Sequence, residues 1–238
     1  MGCDFLRILT NNNFQFWAQV VSMVLTWMLF SDVPINTFFF ERSLDPIILV
    51  AIAFSLVIMQ FLRHSVNKLQ VILLDIIILT LGLKILITNQ PIDSALLLFN
   101  LIMINILLLT KWVQESHCKW VIFGLSYGSG MAFLINISHF NYLSLIALMN
   151  IALLIFLSTF FSIHIFINRL NNLYLLAILL VCALLMLTFK ITLIKVCLVI
   201  LIMLFFMYYR FLKHSRNYFQ RNNFAIFSQL LIAITLFI

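Results

Sequence analysis

The amino-acid sequence predicts an all-α fold, a polytopic transmembrane helical bundle of about nine spans with its N-terminus on the inner side of the membrane. Hydrophobic residues make up 65% of the 238 residues and charged residues only 9%, whereas soluble domains carry about 45–50% and about 25%. The mean hydropathy is +1.18, so lipid must be the solvent for most of the chain. Apolar runs of about 20 residues, long enough to cross a bilayer, recur from end to end.

Polar breaks separate these runs and place the spans. Asp32 and Pro34 end the first span, the Asn89-Gln90-Pro91 segment ends the third, and Ser138-His139 ends the fifth. The predicted spans are 13–31, 44–62, 69–88, 94–111, 119–137, 141–167, 172–188, 191–211 and 223–238. Because short loops join them, we expect residues 1–238 to form a single transmembrane domain with no soluble domain.

One boundary rests on length alone. Residues 172–212 contain neither Gly nor Pro, yet one continuous helix of that length would extend about 60 Å. The hydrocarbon core of a bilayer is only about 30 Å thick. We therefore predict a hairpin near 188–195, with Lys190 and Lys195 at its tip.

The distribution of basic residues sets the orientation, because Lys and Arg accumulate in cytoplasmic loops. With the N-terminus inside, ten of the fourteen basic residues fall on the inner side. They are Arg7, Arg63, Lys68, Lys111, Lys119, Arg169, Arg210, Lys213, Arg216 and Arg221. The outer side keeps four basic residues together with the acids Asp32, Glu41, Asp45 and Asp93.

Tryptophan positions agree with this placement. All four tryptophans fall near predicted helix ends, at Trp17, Trp27, Trp112 and Trp120. An indole ring is apolar in its body and polar at one edge, so an aromatic belt at the membrane surface is expected there.

Asp75 is the most informative single residue, because a carboxylate inside a span is costly and often marks an ion or proton path. We consider Asp75, Lys84, Lys190 and Lys195 as a candidate ion or proton relay. The alternative is structural: Asp75 is protonated or paired with a neighbouring helix. Each lysine then extends from a helix end to the lipid headgroups.

Small residues mark the fifth span as a tightly packed helix. Gly124, Gly128 and Ala132 form a stripe on one face, with Gly130 beside it, and three of the five glycines lie here. Such stripes let helix backbones approach closely in lipid. The sequence leaves open whether the neighbour is another helix of this chain or another subunit.

Composition and motifs exclude several kinds of activity. The net charge of +7 resides in short loops, where it contacts headgroups rather than forming a basic face, so no nucleic acid is expected as a partner. The four cysteines form no CxxC pair, and no metal site or cofactor is predicted. Since GxSxG, P-loop, HExxH and GxGxxG motifs are lacking, we expect no catalytic activity.

Three functions fit these features. The favoured one is a polytopic inner-membrane subunit of a larger energy-transducing or secretion/transport assembly, whose role is mainly structural and whose partners are the bilayer and other membrane subunits. The second is a stand-alone transporter or channel with Asp75 as its ion or proton site, and the third is a membrane-embedded sensor. The expected location is a bacterial inner (cytoplasmic) membrane or an organellar inner membrane.

Overall fold

The computed structural model describes residues 12–34, 36–40, 44–62, 67–88, 91–167, 172–189, 191–212 and 218–238. These residues form helices and connecting turns without strands, so the all-α prediction is confirmed. The long helices are α1 (Asn12–Phe30), α2 (Asp45–Leu62), α3 (Lys68–Thr88), α4 (Pro91–Leu108), α5 (Ser116–Phe140), α6 (Leu145–Phe166), α7 (Asn172–Thr188), α8 (Leu193–Leu212) and α9 (Tyr218–Phe237). A short helix, Thr37–Phe40, lies between α1 and α2.

Three described helices, α2, α5 and α6, are long and apolar enough to cross a membrane. Shorter apolar helical stretches cover Ala95–Leu108, Leu173–Thr188, Leu193–Tyr209 and Asn222–Phe237. Each long helix overlaps one predicted span, but length and composition do not establish a bundle with nine spans. The reason is length, because the four shorter apolar stretches have fewer than 18 residues each.

Helix α1 occupies the middle of the arrangement, where it contacts α2, α5, α6 and α9. Helices α2 to α8 each pack against the next helix in the chain, and α9 also packs against α6. The core therefore lies among α1, α2, α5, α6 and α9. Helices α3, α4, α7 and α8 form the edges of the bundle.

Local chemistry explains where several helices end. Helix α5 continues past the expected break at Ser138 and His139 and stops at Asn141, whose φ of 58° is left-handed, a conformation that Asn tolerates. Helix α6 then begins after Ser144, whose hydroxyl accepts a hydrogen bond from the backbone N–H of Ala147 at 2.9 Å. In the glycine-free stretch, α7 ends at Thr188 and α8 begins at Leu193.

The small-residue stripe of α5 packs against other helices of the same chain. A Cβ atom added to Gly128 would lie 2.6 Å from the Cα atom of Ile155 in α6, and one added to Gly124 would collide with Thr159. Gly130 faces α4, where an added Cβ would lie 2.9 Å from Cγ of Asn100. Ala132 is fully buried. The stripe therefore brings the backbones of α5 and α6 together within this chain.

Two tryptophans hold core helices together. The indole Nε1 of Trp27 in α1 donates to the backbone carbonyl of Tyr127 in α5 at 2.7 Å. The indole Nε1 of Trp120 donates to the backbone carbonyl of Thr159 in α6 at 2.6 Å. Both side chains are buried, whereas Trp17 and Trp112 are exposed. The aromatic belt expected from sequence therefore fits the exposed pair only.

Replacing Gly128 with Val should destabilise the protein by about 1–3 kcal/mol, because the added atoms would overlap the backbone of α6 rather than a movable side chain. Unfolding in mixed micelles, followed by tryptophan fluorescence, measures the change. Ser129→Val is the matched control, since Ser129 bonds only to the Leu125 carbonyl of its own helix. Equal stability of the two variants would contradict the close α5–α6 contact.

Candidate functional site

Asp75 lies on the edge helix α3 and faces α4. The side-chain amide of Asn105 in α4 hydrogen-bonds to its carboxyl group. Oδ1 of Asp75 and Oδ1 of Asn105 are both buried without a hydrogen-bond partner. The structure thus pairs Asp75 with a neutral amide. Among the described residues, no salt bridge to this carboxyl group is present.

Of the three lysines of the predicted relay, Lys195 is the one whose side chain the structure describes. Lys195 in α8 donates from Nζ to the backbone carbonyl of Leu236 at 3.0 Å, at the C-terminal end of α9. A cation is favoured at this end of a helix because the last carbonyls carry partial negative charge. Lys84 lies within α3, and Lys190 lies outside the described residues. The relay thus stays a prediction, and Lys195 is held at a helix end.

A buried polar network joins α2, α6 and α9. The ring Nε2 of His164 in α6 lies 2.6 Å from Oδ1 of Asn222 in α9. The amide Nδ2 of Asn222 then donates to the backbone carbonyl of Leu62 at the end of α2, at 2.8 Å. Because His164 is only 6% exposed, it is an interior residue.

The network continues along the same two helices. The amide Nε2 of Gln229 in α9 donates to the hydroxyl of Ser158 in α6 at 3.3 Å. Sequence reasoning missed Asn222 and Gln229. The available signal was their spacing, because positions i and i+7 lie on the same face of a helix. Two amides on one face of an apolar helix indicate a polar contact with a neighbouring helix.

A cavity of about 20 Å³ adjoins this network, lined in part by His164, Asn222, Gln229 and Tyr127. The phenol oxygen of Tyr127 is buried without a hydrogen-bond partner. This volume suits a single water molecule, which needs about 10–15 Å³ and several polar partners. The arrangement can therefore hold water, but has no room for a larger solute.

A larger cavity opens between the ends of α1, α6, α7 and α9. Its volume is about 380 Å³, and its polar lining residues are Asp32, Asn150 and Thr188. We call it the Asp32 cavity. Asp32 itself adopts a left-handed backbone conformation with φ of 62°. Burial raises the pKa of its carboxyl group, because partial removal from water disfavours the charged form.

The described residues were considered as ligands for a metal ion. No group of three His, Cys, Asp or Glu side chains among them lies close enough to hold an ion. Comparison of the whole chain with known protein families, curated proteins and solved structures finds no match. Function must therefore be inferred from the geometry of these sites.

Replacing Asn222 with Leu should destabilise the protein by about 1–3 kcal/mol, because it leaves the Leu62 carbonyl and the His164 ring without their shared amide. Thermal unfolding in detergent measures the loss. Asn223→Leu on the same helix is the control, since Asn223 donates only to the part-buried side chain of Gln15 at 3.1 Å. A loss in Asn222→Leu no larger than that in the control would contradict the structural role of the network.

Proposed function

We propose that this chain is a multi-pass protein of a bacterial cytoplasmic membrane or an organellar inner membrane, with all long helices crossing the bilayer. The outward faces of the edge helices support this proposal, since they expose large apolar side chains. Examples are Leu69, Ile72, Ile76, Leu83, Leu98, Ile102, Leu176, Leu180, Leu184, Leu198, Leu201 and Leu204. Water does not tolerate an apolar surface that extends over two pairs of neighbouring helices, α3 with α4 and α7 with α8, whereas lipid solvates it.

Within this membrane, we propose that the protein is a fixed, mainly structural subunit of a larger assembly. The observation that carries this proposal is the place of Asp75 on an edge helix. Its neighbours Ile72 and Ile76 are exposed, while its carboxyl group bonds only the Asn105 amide among the described side chains. A carboxyl group that has only a neutral amide as its partner inside a span is costly, and a partner helix that covers the edge of the bundle beside it would reduce the cost.

The polar interior also supports a structural role. Several of the described core polar groups connect helices to one another, as in the His164–Asn222–Leu62 network. The cavity beside that network holds about 20 Å³, too small for a solute larger than water. Neither of the cavities described above includes Asp75 in its lining. A transporter would use an interior polar site that opens to water.

One observation favours a second candidate, a transporter or channel in which Asp75 binds a proton. Asp75 and Asn105 each hold a buried oxygen without a donor. A proton on the Asp75 carboxyl group would let that group donate to Asn105 while it accepts from the Asn105 amide. Binding and release of this proton would then accompany transport.

A tagged copy of the chain, extracted from its native membrane in mild detergent, should retain partner proteins at a constant ratio. Asp75→Leu should lower partner recovery about tenfold, since a polar contact between membrane helices contributes about 1–2 kcal/mol. Quantitative mass spectrometry of the purified material measures this ratio. Asp75→Leu should itself fold normally, because it replaces a costly group with an apolar one.

Thr80→Leu is the matched control, since Thr80 is an exposed residue of the same helix that bonds only to the Ile77 carbonyl. It should leave partner recovery unchanged. Recovery of the wild-type chain alone would contradict the subunit proposal. Proton-coupled flux by the purified chain in liposomes, abolished by Asp75→Asn, would establish the second candidate instead.

A further inference from the structure

The Asp32 cavity has the size and lining of a ligand site. At about 380 Å³, it falls within the range of about 300–1,000 Å³ found for small-molecule pockets. Most of its wall is apolar, with Met149 and Leu153 of α6 on one side and Phe237 of α9 on another. A few polar groups in an apolar wall are the usual arrangement for holding one small molecule.

Asn150 is the first polar residue of the cavity whose side chain is available to a ligand. Its side chain is 7% exposed, and it lines the Asp32 cavity. In the described part of the chain, its amide makes no side-chain hydrogen bond. A buried amide usually has a partner in the protein. Asn150 therefore presents a donor and an acceptor to whatever occupies the cavity.

Asp32 supplies negative charge at the same cavity. No cation pairs with its carboxylate among the residues the structure describes, and burial raises the pKa of that carboxyl group. The left-handed φ of 62° lies just after the end of α1 and is a conformation that Asp tolerates, as Asn does. A bound cation would pair with this carboxylate at the cavity.

Helix ends add to this negative potential. Helices α1, α7 and α9 all end at the cavity, which is lined by Asp32, Thr188 and Phe237 from those ends. Each C-terminus contributes partial negative charge. The N-terminus of α6 is also near, but the Ser144 hydroxyl already accepts from its first turn. Lys195 already offsets the partial charge of the α9 end, so the ends of α1 and α7 supply the helix-end part of this potential.

We propose that the Asp32 cavity binds a protonated amine attached to an apolar body, with the ammonium group at Asp32, the amide of Asn150 beside it, and the apolar body against Met149 and Leu153. This inference is independent of the proposed subunit role. The amine can belong to a free small molecule or to the headgroup of a lipid such as phosphatidylethanolamine, because both present the same ammonium chemistry.

Binding of n-hexylamine to the full chain in dodecyl maltoside micelles, measured by calorimetry at neutral pH against empty micelles, tests the proposal. Saturable binding is expected, with n-hexanol at least tenfold weaker because it lacks the charge. Asp32→Asn should weaken hexylamine binding about tenfold, as expected for loss of a charge-assisted hydrogen bond. Asn also tolerates the left-handed backbone, so this variant should fold.

Two further variants complete the test. Asn150→Leu removes the amide at similar volume and should also weaken binding. Asp45→Asn is the control, because Asp45 is an exposed acid at the start of α2, outside the cavity, and it should bind as the wild type does. Competition by phosphatidylethanolamine but not phosphatidylglycerol supports a headgroup occupant, and no competition by either supports a free amine.

Three results would overturn the proposal. They are the lack of saturable hexylamine binding to the folded wild type, equal affinity for hexanol, and unchanged hexylamine affinity in Asp32→Asn. Size-exclusion profiles that match the wild type establish that each variant is folded.

Discussion

The proposed membrane arrangement depends on one constraint: in lipid, a backbone carbonyl at the end of a helix must find its hydrogen-bond donor within the protein. Three ends in the described chain receive such a donor from another helix. Asn136 of α5 donates to the carbonyl of Ser31 after α1 at 2.7 Å. Asn222 donates to Leu62 at the end of α2, and Lys195 donates to Leu236 near the end of α9.

These connections explain why a chain with so few polar residues buries many of them. Amide side chains that link α1 to α5, and α2 to α9, fix the ends of helices whose middles are held by close apolar packing. Trp27 and Trp120 also link helices, because their indole N–H groups donate to backbone carbonyls of α5 and α6. Two polar features do not fix the end of a helix. They are the Asp75–Asn105 pair at the α3–α4 edge and the Asp32 cavity, and our functional proposals rest on them.

Much of the fold could be predicted from the sequence, because hydropathy and the thickness of a bilayer limit where helices begin and end. Even the break between Thr188 and Leu193 follows from length in a stretch without Gly or Pro. The end of α5 was less predictable, since the left-handed Asn141 rather than the Ser138-His139 pair stops the helix.

The candidate sites were harder to predict, because they depend on which helices are neighbours. A tryptophan near a predicted helix end has the same sequence context at the membrane surface and in the core. Likewise, nothing in the residues around His164 indicates Asn222, and nothing around Lys195 indicates the Leu236 carbonyl. Asp75 stood out because a charge in an apolar run is visible locally, whereas its partner Asn105 resembles any other polar residue in a span.

The central claim is that all nine long helices cross the membrane, because only then is lipid the solvent that makes these polar connections necessary. Single-cysteine variants in sealed vesicles, labelled with an impermeant maleimide from either side, measure this directly. If all nine helices cross, we expect outer-side labelling at Asn36, Tyr142 and Thr192. Inner-side labelling is expected at Asn67 and at the native Cys118. All five residues are exposed in the structure. Labelling of Thr192 and Cys118 from the same side would contradict the nine-span arrangement.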